Sequence, residues 1–153
     1  MEAAGRALLE LVGYALGQGL WAVADGAPLC TFAVWEGAFG RDAARVDADT
    51  VPESLEAARK NLAELPDVLR WVIVVEGEVE AADGRRFGAI RAEFGAQDAD
   101  LDGVAISVFR PAPDFGVVRP PIVTLGNGGT VPEGWVAWIV EAMHAAPRPV
   151  AEA

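Results

Sequence analysis

Residues 71–94 read WVIVVEGEVEAADGRRFGAIRAEF, and the fold follows from how this stretch turns back on itself. From residue 69 to 81 the apolar positions recur with period two. Trp71, Ile73, Val75, Val79 and Ala81 take one face of a strand, and Val72, Val74, Glu76, Glu78 and Glu80 take the other. Asp83-Gly84 is a two-residue hairpin signal, so 85–94 is predicted to return as the antiparallel partner. That turn sets Glu80 opposite Phe87 and Glu76 opposite Arg91, an ion pair across the ladder. Residues 104–110 alternate again and complete a three-stranded meander.

Outward from the meander, residues 2–17 read as a helix with a broad apolar surface, closed by Gly17 and Gly19. Residues 20–24 and 29–35 read as a hairpin around Asp25-Gly26-Ala27-Pro28. Residues 37–42 read as a loop and 44–48 as an exposed edge strand. Thr50-Val51-Pro52-Glu53 is a capping box that opens a helix ended by Pro66. The prolines of 111–121 make that stretch irregular, 122–125 is a short strand, and 126–129 is a Gly-rich turn. Thr130-Val131-Pro132-Glu133 repeats the capping box ahead of a last helix over 131–146. The expected fold is α+β: one domain over 1–147, with a frayed tail over 148–153. About three helices pack on one face of a mainly antiparallel sheet of about four to six strands.

Against 23 acidic residues stand 12 basic ones, a net charge of -11, which disfavours nucleic acid and anionic membranes as partners. Hydrophobic residues make up 52% of the chain, so it has the material for a core and is not an acidic disordered tail. Cys30 is the lone cysteine and can form no internal disulfide. The N-terminal apolar run is interrupted by Glu10 and is too short to span a bilayer. A cytoplasmic location is the expectation. Lys60 is the one lysine among the basic residues, and Ala is abundant. That bias fits the coding of a GC-rich bacterial genome.

Four constellations are candidates for chemistry. Asp98, Asp100 and Asp102 alternate and are followed by Gly103, like the first half of a calcium loop. The second half is missing, so a divalent metal there needs a distant carboxylate such as Glu93, and a solvated loop is the competing reading. Glu76, Glu78 and Glu80 lie about 7 Å apart along one strand face. They would offer an acidic surface to a basic protein partner, or else be ordinary wet sheet surface. Gly128, Gly129 and Thr130 join a strand to a helix N-terminus, where free amides attract anions, although no phosphate-loop lysine follows. Trp135, Trp138 and Ile139 form an apolar helix face suited to a homodimer interface or to burial within the fold.

Cys30 and His144 are the nucleophile and base types present, with no third orienting group in view. Ser54 and Ser107 stand outside any nucleophile elbow. No cofactor is expected, apart from the metal alternative. The sequence therefore favours a non-catalytic binding or regulatory module. The alternatives are a carboxylate-based metal- or small-molecule-dependent enzyme and a structural homodimer subunit.

Overall fold

The computed structural model describes residues 3–129 and 131–147. In chain order the elements are α1 (Ala3–Val23), β1 (Phe32–Gly37), β2 (Gly40–Arg45), α2 (Val51–Glu64), β3 (Val68–Glu80), β4 (Arg86–Ala96), β5 (Asp102–Arg110), β6 (Gly116–Val117), β7 (Ile122–Leu125) and α3 (Glu133–Ala145). All strand pairings are antiparallel, in the order β2-β1-β3-β4-β5. Both β6 and β7 pair with the outer edge of β5. The α+β class and the β3-β4-β5 meander are as expected.

The β3–β4 register differs from expectation by one residue. Glu80 faces Arg86, Glu76 faces Ile90, and Arg91 faces Val75. The turn has three residues, Ala82-Asp83-Gly84. The Gly84 amide donates to the Ala81 carbonyl at 2.9 Å, and the Ala81 amide donates to that of Arg85 at 2.8 Å. Gly84 takes the left-handed conformation at φ +85°, whereas Asp83 does not, so the two-residue turn that needs both is not formed.

Energetics explain the choice. The observed register sends Ile90, Ala92 and Phe94 to the face of Val72 and Val74, where all are buried. Burying one Ile or Phe side chain contributes about 1.5–3 kcal/mol, against ~0–1 kcal/mol for the exposed Glu76–Arg91 pair it forgoes.

Helix α1 covers that face. It runs through Gly17 and Gly19 to Val23, so 20–23 is helix and Ala24 a turn, not a strand. The glycines are contact points. A Cβ on Gly13 would strike the Ile139 carbonyl, and one on Gly17 would come 2.6 Å from the Ala146 Cβ and 2.8 Å from the Met143 carbonyl oxygen. One on Gly19 would meet Ile90 at 2.9 Å. Each helical glycine costs about 1 kcal/mol in propensity. Fully burying Leu8, Leu9, Leu11, Val12 and Leu16 outweighs that several times over.

With 20–23 helical, the first hairpin forms later. β1 and β2 pair around Ala38-Phe39, with Gly37 opposite Gly40. The exposed edge strand therefore lies at 40–45 instead of 44–48, and every residue in it is exposed.

The opposite sheet face carries α2, so the helices do not all share one face. Ala58 and Leu62 pack with Ala33, Val46 and Ile73. The N-cap half of the first capping box forms: the Thr50 hydroxyl accepts the Glu53 amide at 3.2 Å. Ser54 and Thr31 hydroxyls, 2.6 Å apart and buried, tie α2 to the segment before β1. Thr130 of the second box lies outside the described residues. Helix α3 begins at Glu133, two residues later than expected, with Pro132 as its N-cap and no side-chain cap bond.

The α1–α3 contact yields a prediction. Gly17→Val should lower stability by about 1–3 kcal/mol in urea unfolding, because overpacking forces the helices apart. Gly77→Ala, whose added Cβ meets nothing within 4 Å, should stay within about 0.5 kcal/mol of wild type. Equal effects in the two variants would contradict the close approach.

Candidate functional site

Arg6, Glu10, Tyr14, Gln18 and Ala22 recur every four residues and form one stripe along α1. On one flank of this stripe lies α3. On the other lies the β1–β2 end of the sheet. Two adjoining clefts result, and Tyr14 lines both.

The first cleft holds about 530 Å³ and runs between Arg6, Glu10 and Tyr14 of α1, Trp138 and Glu141 of α3, and Arg41 of β2. Its cations are stacked on its aromatic rings. The Arg6 guanidinium carbon lies 4.8 Å from the Trp138 ring centre, and that of Arg41 lies 4.3 Å from the Tyr14 ring centre. Arg6 also donates to Glu10 at 3.1 Å, and Arg41 to Glu36 at 3.0 Å.

The second cleft holds about 470 Å³. Its walls are mostly apolar: Ala22, Pro28, Leu29, Phe32, Val34 and Ala43, with Gln18, Cys30 and Arg45 among the polar residues lining it. Both volumes lie in the usual range for small-molecule sites, as does an apolar lining with a few polar groups.

No family model, curated protein or solved structure matches this chain.

Cys30 is the nucleophile type in the second cleft. Its thiol lies 3.5 Å from a carboxylate oxygen of Asp47. Burial, then the Asp47 hydrogen bond and charge, push its pKa up, so the reactive thiolate is disfavoured. His144 is exposed in the last turn of α3.

The carboxylates do not gather. Glu76–Glu80 lies at the β3–β4 turn and Asp98–Asp102 at the β4–β5 turn, at opposite ends of β4. With eleven residues in β4, that separation is about 30 Å. Glu76 accepts the Leu29 amide at 3.1 Å and so ties the α1–β1 connection to β3. Glu78 pairs with Arg86 at 3.3 Å, and Glu80 is exposed.

Asp98 accepts from Arg70 at 3.0 Å. Glu93 lies under α2, where Arg59 grips it in a two-point contact at 2.8 and 2.5 Å. Asp100 and Asp102 are left in the loop and at the start of β5. Among the described residues, no three His, Cys, Asp or Glu side chains come together to hold a metal ion.

The Gly-rich turn has its amides occupied. Gly128 donates to the Leu125 carbonyl at 2.9 Å, and Gly129 to the Asn127 side chain at 2.7 Å. Thr130 lies outside the described residues. On α3, Ile139 is fully buried against α1, Trp138 lies under Arg6, and Trp135 packs against the same core. Of α3, Ile139 and Met143 are buried, while Trp135, Val136, Trp138 and Val140 stay half-buried.

The stripe along α1 has a sequence signal, polar residues at spacing four from Arg6 to Gln18, which reading the helix as one broad apolar surface passes over. The β1 and β2 wall has none, because no local pattern links it to α1.

Glu93 supplies a pH prediction. The Arg59 hydrogen bonds, helped by charge and opposed by burial, hold its pKa below the ordinary 4.5. A carboxylate with a depressed folded-state pKa stabilises the fold above its unfolded value and loses that contribution as pH falls through the folded one. Glu93→Gln should therefore unfold at lower urea than wild type above about pH 5, with the gap closing as acid is added. A gap that is constant down to the acid limb would contradict the pairing.

Proposed function

We propose that this chain is a non-catalytic binding module and that its ligand lies along α1 in the two adjoining clefts. The observation that carries this reading is the uncovered β1–β2 end of the helix-side face, where Phe32, Val34 and Ala43 line a cleft that α3 does not fill. The ligand class that fits is an amphipathic molecule or segment. Its apolar body would lie against Pro28, Leu29, Phe32 and Val34. An anionic group would lie towards Arg41 on β2, where it would share the guanidinium with Glu36.

The raised pKa of Cys30 and the arginine partners of Glu93 and Asp98 weigh against the carboxylate or thiol enzyme readings. The separation of the two acidic segments weighs against one extended acidic face. A basic partner would meet at most the exposed Glu78 and Glu80 beside Arg86.

Anilinonaphthalene sulfonate, an apolar ring system with one anionic group, is a suitable probe. Wild type should enhance its fluorescence. Ala22→Trp, which fills the second cleft from the face of α1, should weaken its binding by about tenfold or more, a loss of about 1.4 kcal/mol. Tyr14→Ala should weaken it as well. Unchanged binding in both variants, with unchanged melting temperature, would remove the clefts as the site.

A further inference from the structure

Helix α2 covers only the β1–β3 end of its side of the sheet, where it packs with Ala33, Val46 and Ile73. Alternation places Arg91 of β4, Val104 and Ile106 of β5, and Ile122 of β7 on the same side. The Val118 amide donates to the Val108 carbonyl at 2.9 Å and carries this edge one position beyond β6. Ile122 is 47% exposed and Val118 41%, and Val104 and Ile106 are half-buried. On the other side of β7, Val123 and Leu125 pack against the core that α1 and α3 share. Over β5 and β7 the sheet is thus covered on one side and left without a helix on the other.

The cations beside this patch lack partners. Arg6, Arg41, Arg59, Arg70, Arg85 and Arg86 are each held by a carboxylate. Among the described residues, Arg91, Arg110 and Arg119 have no ion pair. Arg91 stands half-buried between Val75 and Ile106 in the two ladders. Glu93, two residues along β4, is already gripped by Arg59. Arg110 ends β5 on the same side and lies across Gly116 towards the sheet edge. Arg119 is exposed beside Val118. Asp102, on the same side, stands at the opposite end of β5 from Arg110. On a chain of net charge -11, three unpaired arginines therefore gather around one apolar patch.

That pairing of features selects what can cover the patch. A neutral apolar cover would strip water from Arg91 and leave its charge unmet, which is costly. The occupant must bring carboxylates together with an apolar stripe. From β4 to β7 is two strand spacings, roughly 10 Å, about the width of one helix. A second copy of the chain fits badly. A twofold across the strands through Ile106 sets Arg91 over its own copy, and one along β5 sets Arg110 over its own copy. Like charges directly opposite are destabilising.

We infer that this face of β4, β5 and β7 is a docking surface for an acidic amphipathic helix of a partner protein. Its apolar stripe lies on Ile106, Ile122 and Val118, and its flanking carboxylates meet Arg91, Arg110 and Arg119. The clefts along α1 lie on the other side of the sheet, so either site stands if the other fails.

Fluorescence anisotropy with the full chain and a labelled helical peptide of about 18 residues, close to the length of β5, tests this. The peptide carries Leu at spacings of three and four with Glu on both flanks, and its twin carries Lys in place of Glu. The Glu peptide should bind about tenfold tighter than the twin, or more. Arg91→Glu should remove that preference. Ile122→Glu and Arg119→Glu, both at exposed positions, should each weaken the Glu peptide several-fold with melting unchanged.

No binding of the Glu peptide at about 0.5 mM overturns the inference. So does equal binding of the twin, or an affinity that survives in both folded Ile122→Glu and Arg119→Glu. A wild-type mass that doubles with concentration, and returns to 16.0 kDa in Ile122→Glu, would make a second copy the occupant and overturn it as well.

Discussion

The left-handed Gly84 is the constraint on which the rest of the structure depends. It lets the β3–β4 turn close with three residues, and that length sets which residues of β4 share a face with which residues of β3. Because side chains alternate, a turn one residue shorter would send every β4 side chain to the other face. Ile90, Ala92 and Phe94 would leave the surface under α1, and Arg91 and Glu93 would take their place. As built, the apolar set meets α1, while Glu93 is delivered to Arg59 on the α2 side.

Once that surface exists, α1 organises the molecule. Its leucines cover the centre of the sheet. Its Gly13 and Gly17 let the α3 backbone approach to within side-chain contact distance. Drawing α3 in so closely on one flank leaves the β1–β2 flank uncovered, which opens the second cleft. The same helix supplies the stripe from Arg6 to Ala22 that lines both clefts. The site is a by-product of how the core closes, and its residues come from α1, β1, β2 and α3 together. The excess acid is divided by the same geometry between two distant turns.

Much of this was legible residue by residue. Ile122–Leu125 has the bounds expected of the short strand between the prolines and the Gly-rich turn, and the Thr50 cap binds the Glu53 amide as its spacing required. What escaped had a common cause, in that short signals have two physical uses. Gly17 and Gly19 read as a helix stop, yet their missing side chains serve packing against α3 and the sheet. Asp83-Gly84 read as a two-residue turn, yet Asp83 acts as a side-chain acceptor for the Arg85 amide inside a longer one. Both choices are decided by distant residues, Ile139 and Met143 in the first case and Phe94 in the second. The clefts were illegible for a stronger reason: their two walls are far apart in sequence, and only the assembled sheet brings them together.

The register is the most direct thing to measure. Non-bonded antiparallel pairs bring Cα atoms, and their hydrogens, close together. Nuclear Overhauser spectra of the labelled protein should connect the Cα hydrogens of Glu76 with Ile90 and of Val74 with Ala92. Contacts from Val75 to Ala92 in their place, a non-bonded pair of the two-residue-turn register, would exchange the faces of β4 and contradict the placement of α1 and of everything built on it.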